Sequence, residues 1–281
     1  MNANTNLPLT AAYIRRYVVE EVYNAQAGHP GGSLGIAELI TTLYFDEMNV
    51  DPTNPKDENR DRFVLSKGHC SPALYAALAL KGFFPVEDLK TFRRIDSYLQ
   101  GHPSMTDVPG VDMSTGSLGQ GVCAAAGMAY AAKIDNKDYR VYSILGDGEI
   151  QEGQVWEAAM FAPHYKLDNL CIIVDNNGLQ IDGNVSDVMN VANIADKFKA
   201  FNWNVIEIDG HNFDEIKAAF KAAKEVKGKP TAIIAKTFKG KGVSYMHNNA
   251  AWHGCAPKTE DYEIAVKELN DEIERLGGER V

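Results

Sequence analysis

Two polar residues thirty positions apart, Asp147 and Asn177, have the chemistry to hold a hard metal ion between them. Asp147 stands in Gly146-Asp147-Gly148-Glu149, directly after the apolar run Arg140–Leu145. Asn177 stands in Asp175-Asn176-Asn177-Gly178-Leu179, directly after Leu170–Val174. The spacing leaves room for one helical crossover, Gln151–Tyr165, between adjacent parallel strands, so both side chains would arrive at the same sheet end. A carboxylate, an amide oxygen and a nearby backbone carbonyl are oxygen donors of the kind Mg²⁺ or Ca²⁺ takes, and a diphosphate would complete the shell. Gly146 and Gly148 let the backbone approach phosphates closely, and the next helix N-terminus offers amide donors.

Histidines form the second candidate set. Four of the seven stand in Gly- or Pro-flanked segments that read as loops: Gly28-His29-Pro30-Gly31-Gly32, Lys67-Gly68-His69-Cys70, Gly101-His102-Pro103 and Trp252-His253-Gly254. Sharp turns of this kind present a side chain into a cleft. Imidazole donates to phosphate or hydroxyl oxygens and moves protons near neutral pH. His164, His211 and His247 lack that setting; His211, in Asp209-Gly210-His211-Asn212, reads as a post-strand turn. The glycine-rich segment Gly116-Ser117-Leu118-Gly119-Gln120-Gly121 runs G-x-x-G-x-G with no strand before it, which is the wrong order for a dinucleotide fingerprint.

The elements that must position these residues alternate two hydrophobic periods. Helical spacing marks Thr10–Ala25, Leu34–Phe45, Pro72–Leu80, Leu118–Ala132, Asp214–Lys224 and Asp261–Arg275. Short apolar runs of strand length fall at Arg62–Leu65, Arg140–Leu145, Leu170–Val174, Asn204–Ile208 and Thr231–Ala235. Runs apolar on both faces suit a parallel sheet covered by helices on both sides. The expectation is one α/β domain over 1–281 with a doubly wound, mostly parallel sheet, which binds ligands beyond the carboxyl ends of its strands.

Composition narrows the function classes. The chain has 281 residues, 45% hydrophobic and 23% charged, within the globular range. With 28 Lys+Arg against 38 Asp+Glu, its formal charge of −10 repels phosphate backbones, so no nucleic-acid partner is expected. No apolar run approaches a membrane span, and the polar start MNANTNLPLT shows no secretory signal. Cys70, Cys123, Cys171 and Cys255 have no metal-binding or paired spacing and read as reduced, mostly core thiols of a cytoplasmic protein.

Together these motifs carry a resemblance. Gly146-Asp147-Gly148 closing with Asn176-Asn177 resembles the metal–diphosphate motif of thiamine-diphosphate enzymes. With GHPGGSLG (28–35), RFVLSKGHCSPALYAAL (62–78), GHPS (101–104), TGSLGQG (115–121), GDGEIQEGQVWEA (146–158), DNNGLQIDG (175–183) and AWHGCAPK (251–258), the sequence resembles the amino-terminal, cofactor-binding part of transketolase.

The resemblance implies a thiamine-diphosphate-binding fold and assigns roles. Asp147 and Asn177 would bind Mg²⁺ (or Ca²⁺ or Mn²⁺) through their side chains and Leu179 through its carbonyl, with Gly148 offering its amide to the diphosphate. His69 and His253 would contact the diphosphate end; His29, His102 and His253 would bind donor hydroxyls or assist proton transfers. Gly116 would accept from the 4′-amino group through its carbonyl, Leu118 would pack on the rings, and Glu152 would reach the activating carboxylate at a subunit interface. Where Ser117 stands, family enzymes often carry Pro; the backbone contact survives that change.

The resemblance stops at Lys258, before the family's pyrimidine-binding and carboxy-terminal domains, which carry the activating glutamate and the basic residues that grip sugar phosphate. It therefore implies the amino-terminal subunit of a split transketolase, paired with a carboxy-terminal subunit in an α2β2 heterotetramer. Its reaction would be ketol transfer from xylulose 5-phosphate to ribose 5-phosphate in the pentose phosphate pathway. A 2-oxo-acid dehydrogenase E1-like subunit or a ketol synthase is the alternative; the four histidine loops, suited to polyol hydroxyls, weigh against E1.

Overall fold

In a computed structural model, residues 5–281 are described. Five parallel strands form the central sheet: β1 (Arg62–Leu65), β2 (Val141–Gly146), β3 (Leu170–Asn176), β6 (Asn204–Asp209) and β7 (Thr231–Lys236), in the order β1-β2-β3-β7-β6. A small antiparallel ribbon joins β4 (Leu179–Gln180) to β5 (Gly183–Asn184). All five expected strands are present, each within a residue or two of its expected bounds.

The side-chain alternation explains the two-sided packing. In β3, Cys171 and Ile173 enter the core under α1 (Leu7–Ala25), α3 (Ala37–Thr42), α4 (Ser71–Lys81) and α9 (Phe213–Glu225). Leu170, Ile172 and Val174 enter the core under α5 (Gln120–Ile134), α6 (Gly153–His164) and α8 (Ile194–Ala200). Because both faces are covered, the strands carry near-continuous apolar sequence. The doubly wound reading holds. α10 (Thr259–Arg275) packs along α1, and one turn, α7 (Val185–Val188), follows the ribbon.

Two local expectations fail. The GHPGG segment is not a loop: His29 caps a short helix, α2 (Pro30–Gly35), with Pro30 in its first turn. Leu34–Phe45 is not one helix either, since the chain breaks at Ile36 between α2 and α3 and ends in a π-turn at Leu43–Glu47. Packing imposes the glycines of α2. A Cβ at Gly31 would lie 2.7 Å from the Trp252 carbonyl, and one at Gly32 would lie 2.7 Å from Cys70 Sγ. Only glycine fits at these two positions between those neighbours.

All four cysteines are free, as expected, but they are not all core groups: Cys70 and Cys171 are buried, Cys123 is half-buried and Cys255 is exposed. Among the described residues, no helix is long and apolar enough to cross a membrane.

Candidate functional site

The loops after β1, β2, β3 and β7 meet at one end of the sheet. Strand register makes this obligatory: Gly146 pairs with Asp175, and Asn176 with Lys236, so the β2 and β3 exits and Thr237 lie side by side. The Gly178 amide donates to Asp147 Oδ2 at 2.5 Å across these exits, and the Gly148 amide donates to Oδ1 at 2.9 Å. Asn177 lies in the same turn, its Oδ1 accepting from the Leu179 amide at 3.0 Å. The crossover reading of Asp147 and Asn177 thus matches the topology, with α6 as the connecting helix.

A cleft of about 190 Å³ opens over these exits, lined by His69, Leu118, Asp147, Gly148, Glu152, Asn177, Leu179 and His253 among others. The remaining histidines stand beside it. Ring centroids are 5.1 Å apart for His69–His253, 5.2 Å for His29–His69, 5.4 Å for His29–His253 and 6.4 Å for His29–His102. The His102 ring packs on Gly116, where φ is +140° and a Cβ would lie 2.8 Å from the ring. Four chain segments up to 224 positions apart (His29 to His253) therefore form one wall. Glu152 is exposed at the rim, at the N-cap of α6.

Under the cleft lies a network that local sequence does not announce. Lys67, 2% exposed, forms an ion pair with fully buried Asp175. Asp175 also accepts from Thr237 Oγ1 and from Asn177 Nδ2. Burial opposes the Lys67 charge, but the adjacent Asp175 carboxylate outweighs it and raises the amine above its ordinary range. Glu149 accepts from Ser66 Oγ and from the amides of Gly119 and Gly146, tying three loops together. Lys239, also 2% exposed, donates to His253 Nδ1 at 3.0 Å, which leaves Nε2 of the neutral ring to carry the proton.

Electrostatics keeps the wall uncharged. Burial and the Arg93 charge lower His29 to about 4; burial and Lys239 lower His253 to about 3. Burial and Lys67 push His69 far down, and burial with Arg93 lowers His102. Near neutral pH these are neutral imidazoles, each with one donor and one acceptor nitrogen. Burial and the neighbouring Asp175 charge raise Asp147 to about 6.

The family model described as the transketolase thiamine diphosphate-binding domain matches residues 8–272. The chain belongs to the transketolase family. It is 46% identical to one of the subunits of the apulose-4-phosphate transketolase of Phocaeicola vulgatus, covering 96% of each chain. To a 6-deoxy-6-sulfo-D-fructose transketolase subunit of a Clostridium species it is 48% identical, over 93% of this chain and 95% of the other. Mouse transketolase is 42% identical over 94% of this chain, which spans only 42% of that protein. The Pichia stipitis transketolase crystallised with sedoheptulose 7-phosphate superposes with a TM-score of 0.90 at 35% identity, over 98% of this chain and 41% of that one. Transketolases are thiamine-diphosphate-dependent transferases, and the first two relatives are named as subunits.

The residues present fit the transketolase cofactor. Among the described residues no cluster of three or more His, Cys, Asp or Glu side chains could hold a metal. The expected set needs none, being one carboxylate, one amide and one carbonyl. Two buried lysines supply positive charge at the cleft where a diphosphate would lie. The buried atoms His29 Nδ1 and Thr115 Oγ1 lack partners among the described residues. Sequence reasoning placed Ser66, Lys67, Glu149 and Asp175 in strand-exit segments without giving them individual roles, and missed Thr237 and Lys239. The available signal was position alone, since all six lie in or directly after strand exits.

His211 lies in a turn directly after β6, as read from the sequence, its amide donating to Asp209 Oδ1. Its ring is buried beside Glu38, which also pairs with Arg15, and its Nε2 accepts from the Phe238 amide. Burial opposes the Glu38 charge, but Arg15 and His211 together hold that carboxyl at about 2. The network braces the β7 exit loop away from the cleft. His164 and His247 are exposed.

Proposed function

We propose that this chain is the amino-terminal, single-domain subunit of a split transketolase, moving a two-carbon ketol unit from a ketose phosphate such as xylulose 5-phosphate to an aldose phosphate such as ribose 5-phosphate. One observation carries the reading: His69, His253, Asp147 and Asn177, scattered in sequence, line a single cleft at the carboxyl end of the sheet, with the His29 and His102 rings packed beside it. The similarity to two proteins named as transketolase subunits, over nearly their whole length, supports the split arrangement. The pyrimidine-binding and carboxy-terminal domains would lie on a partner chain, two copies of each forming an α2β2 assembly. The four free cysteines support a place in the cytoplasm.

Asp147, Asn177 and the Leu179 carbonyl would hold Mg²⁺, and the Gly148 amide, His69, His253 and Lys239 would hold the diphosphate. Gly116 and Leu118 would meet the rings, and Glu152 would face the partner. Bound thiamine diphosphate supplies the electron sink that carries the two-carbon unit. His29, His102 and His253, neutral and closely spaced, would bind the donor's hydroxyls and pass protons to and from them. The test is ketol transfer by the complex isolated through this chain, with the chain alone beside it. The panel of donors would include xylulose 5-phosphate, apulose 4-phosphate and sulfofructose. Transfer by the complex alone is expected. Thiamine diphosphate bound without transfer from any donor would overturn the reading. Asp147→Ala should abolish metal-dependent retention of the cofactor while the chain still folds.

A further inference from the structure

Arg93 stands apart from the other buried and half-buried arginines. Arg15, Arg16 and Arg60 pair with carboxylates, and Arg62 and Arg140 donate to backbone carbonyls. Arg93 is partly buried, yet its guanidinium makes no ion pair and no hydrogen bond among the described residues. Its Nε is buried without a partner; Arg16 and Arg140 share that feature, but each of those bonds through an Nη atom and Arg93 does not. Leaving a buried donor unpaired costs stability, so a cation held this way points to an absent ligand.

The backbone aims this side chain deliberately. Arg93 adopts φ +60°, in the left-handed region that non-glycine residues rarely occupy, and its amide donates to the Leu99 carbonyl at 2.8 Å. Its guanidinium lies against Gly101, where any Cβ would overlap it. The next residue is His102. Through Gly101 the guanidinium sits beside His102 at one end of the wall that would bind the sugar, and burial together with its charge lowers both His29 and His102.

A purely structural role explains this poorly, because α4 already pins the Gly101–His102 turn. Ser71 Oγ donates to the Gly101 carbonyl at 2.9 Å, and the Tyr75 hydroxyl donates to the carbonyls of Gln100 at 2.8 Å and His102 at 3.2 Å. The two lysines that line the cleft are engaged, Lys67 with Asp175 and Lys239 with His253.

We propose that Arg93 is a specificity residue that takes an anionic oxygen group of the sugar substrate, phosphate or an isosteric oxyanion, through its free guanidinium edge. This chain would then read substrate charge itself rather than leave that wholly to its partner. The proposal rests on the ketol-transfer reading.

The test uses the complex with its partner subunit carrying Arg93→Met or Arg93→Lys. Transfer from xylulose 5-phosphate to ribose 5-phosphate is compared with transfer from unphosphorylated erythrulose to glyceraldehyde, which yields xylulose and glycolaldehyde. Loss of a charged hydrogen-bond donor should lower kcat/KM for the phosphorylated pair by about ten-fold more than for the neutral pair. The inhibition constant of inorganic phosphate should rise with it, and Lys should restore part of both effects. Equal losses on the two pairs, or no loss on either, would overturn the proposal. A wild-type complex inactive on every donor would instead remove the function on which it rests.

Discussion

The floor of the cleft and its histidine wall are built on opposite principles. In the floor, every buried polar group named above has its partners within the chain: Lys67 with Asp175, Asp175 also with Thr237 and Asn177, Glu149 with a hydroxyl and two amides. In the wall, neutral rings stand 5.1–6.4 Å apart, and His29 Nδ1 has no partner at all among the described residues. A satisfied network fixes geometry, whereas unsatisfied donors and acceptors keep their capacity for a ligand. The floor should therefore fail by unfolding, and the wall by losing activity.

The sharpest way to break this contrast is Lys67→Met, which leaves the Asp175 carboxylate buried and unpaired. Stability should fall by about 3–5 kcal/mol, read as a lowered midpoint in urea unfolding. A midpoint unchanged from wild type would mean that the pair serves only the ligand. The mirror experiment is His102→Ala and His253→Ala in the assembled complex. Each should lower kcat by roughly 100-fold, as loss of a proton-handling group does, with the unfolding midpoint held near that of wild type. Unchanged turnover in both variants would remove the wall from the mechanism; a large loss of stability would make it part of the floor.

The wall also has an acid limit with a definite sign. His29 and His253 are lowered in the folded chain to about 4 and about 3, from an ordinary value of 6.5. The unfolded chain thus binds protons first as pH falls through 6.5, and stability drops from there toward pH 3–4. A His29→Gln/His253→Gln chain should lose part of that slope in urea titrations between pH 7 and 4. An unchanged slope would mean that the two rings do not drive it.

The same contrast explains what could be read from sequence. Both-face apolar strands such as Leu170–Val174 announce themselves, and the residues after each strand follow from the fold's geometry, so Asp147, Asn177 and His69 were legible; His29, His102 and His253 showed instead through their Gly- and Pro-flanked settings. The floor was not, because Lys67 and Asp175 are 108 positions apart and nothing local to either predicts that they meet in the core. The helix at Pro30–Gly35 was hidden for a related reason. Its glycines look like turn residues until Trp252 and Cys70, from distant segments, require that they carry no side chain. Propensity is a local signal, and here tertiary contact overrides it.

A second buried carboxyl tests the floor's principle from the other side. Glu149 has three donors, but Glu21 on α1 has none: it is 0% exposed, and both oxygens are without partners among the described residues. Burial, with Glu20 beside it, raises its carboxyl well above the ordinary 4.5. The folded chain therefore keeps the proton that the unfolded chain releases, and stability falls as pH rises above 4.5 toward the folded value. Glu21→Met should stabilise the chain by about 1–2 kcal/mol at pH 8, removing an unpaired polar group, with a smaller gain at pH 4. Glu21→Gln should remove the pH dependence while recovering less of the stability, because its amide is left equally unpartnered. If Glu21→Met destabilises instead, the carboxyl has a partner in solution, and the rule that separates floor from wall does not extend to the helix layer.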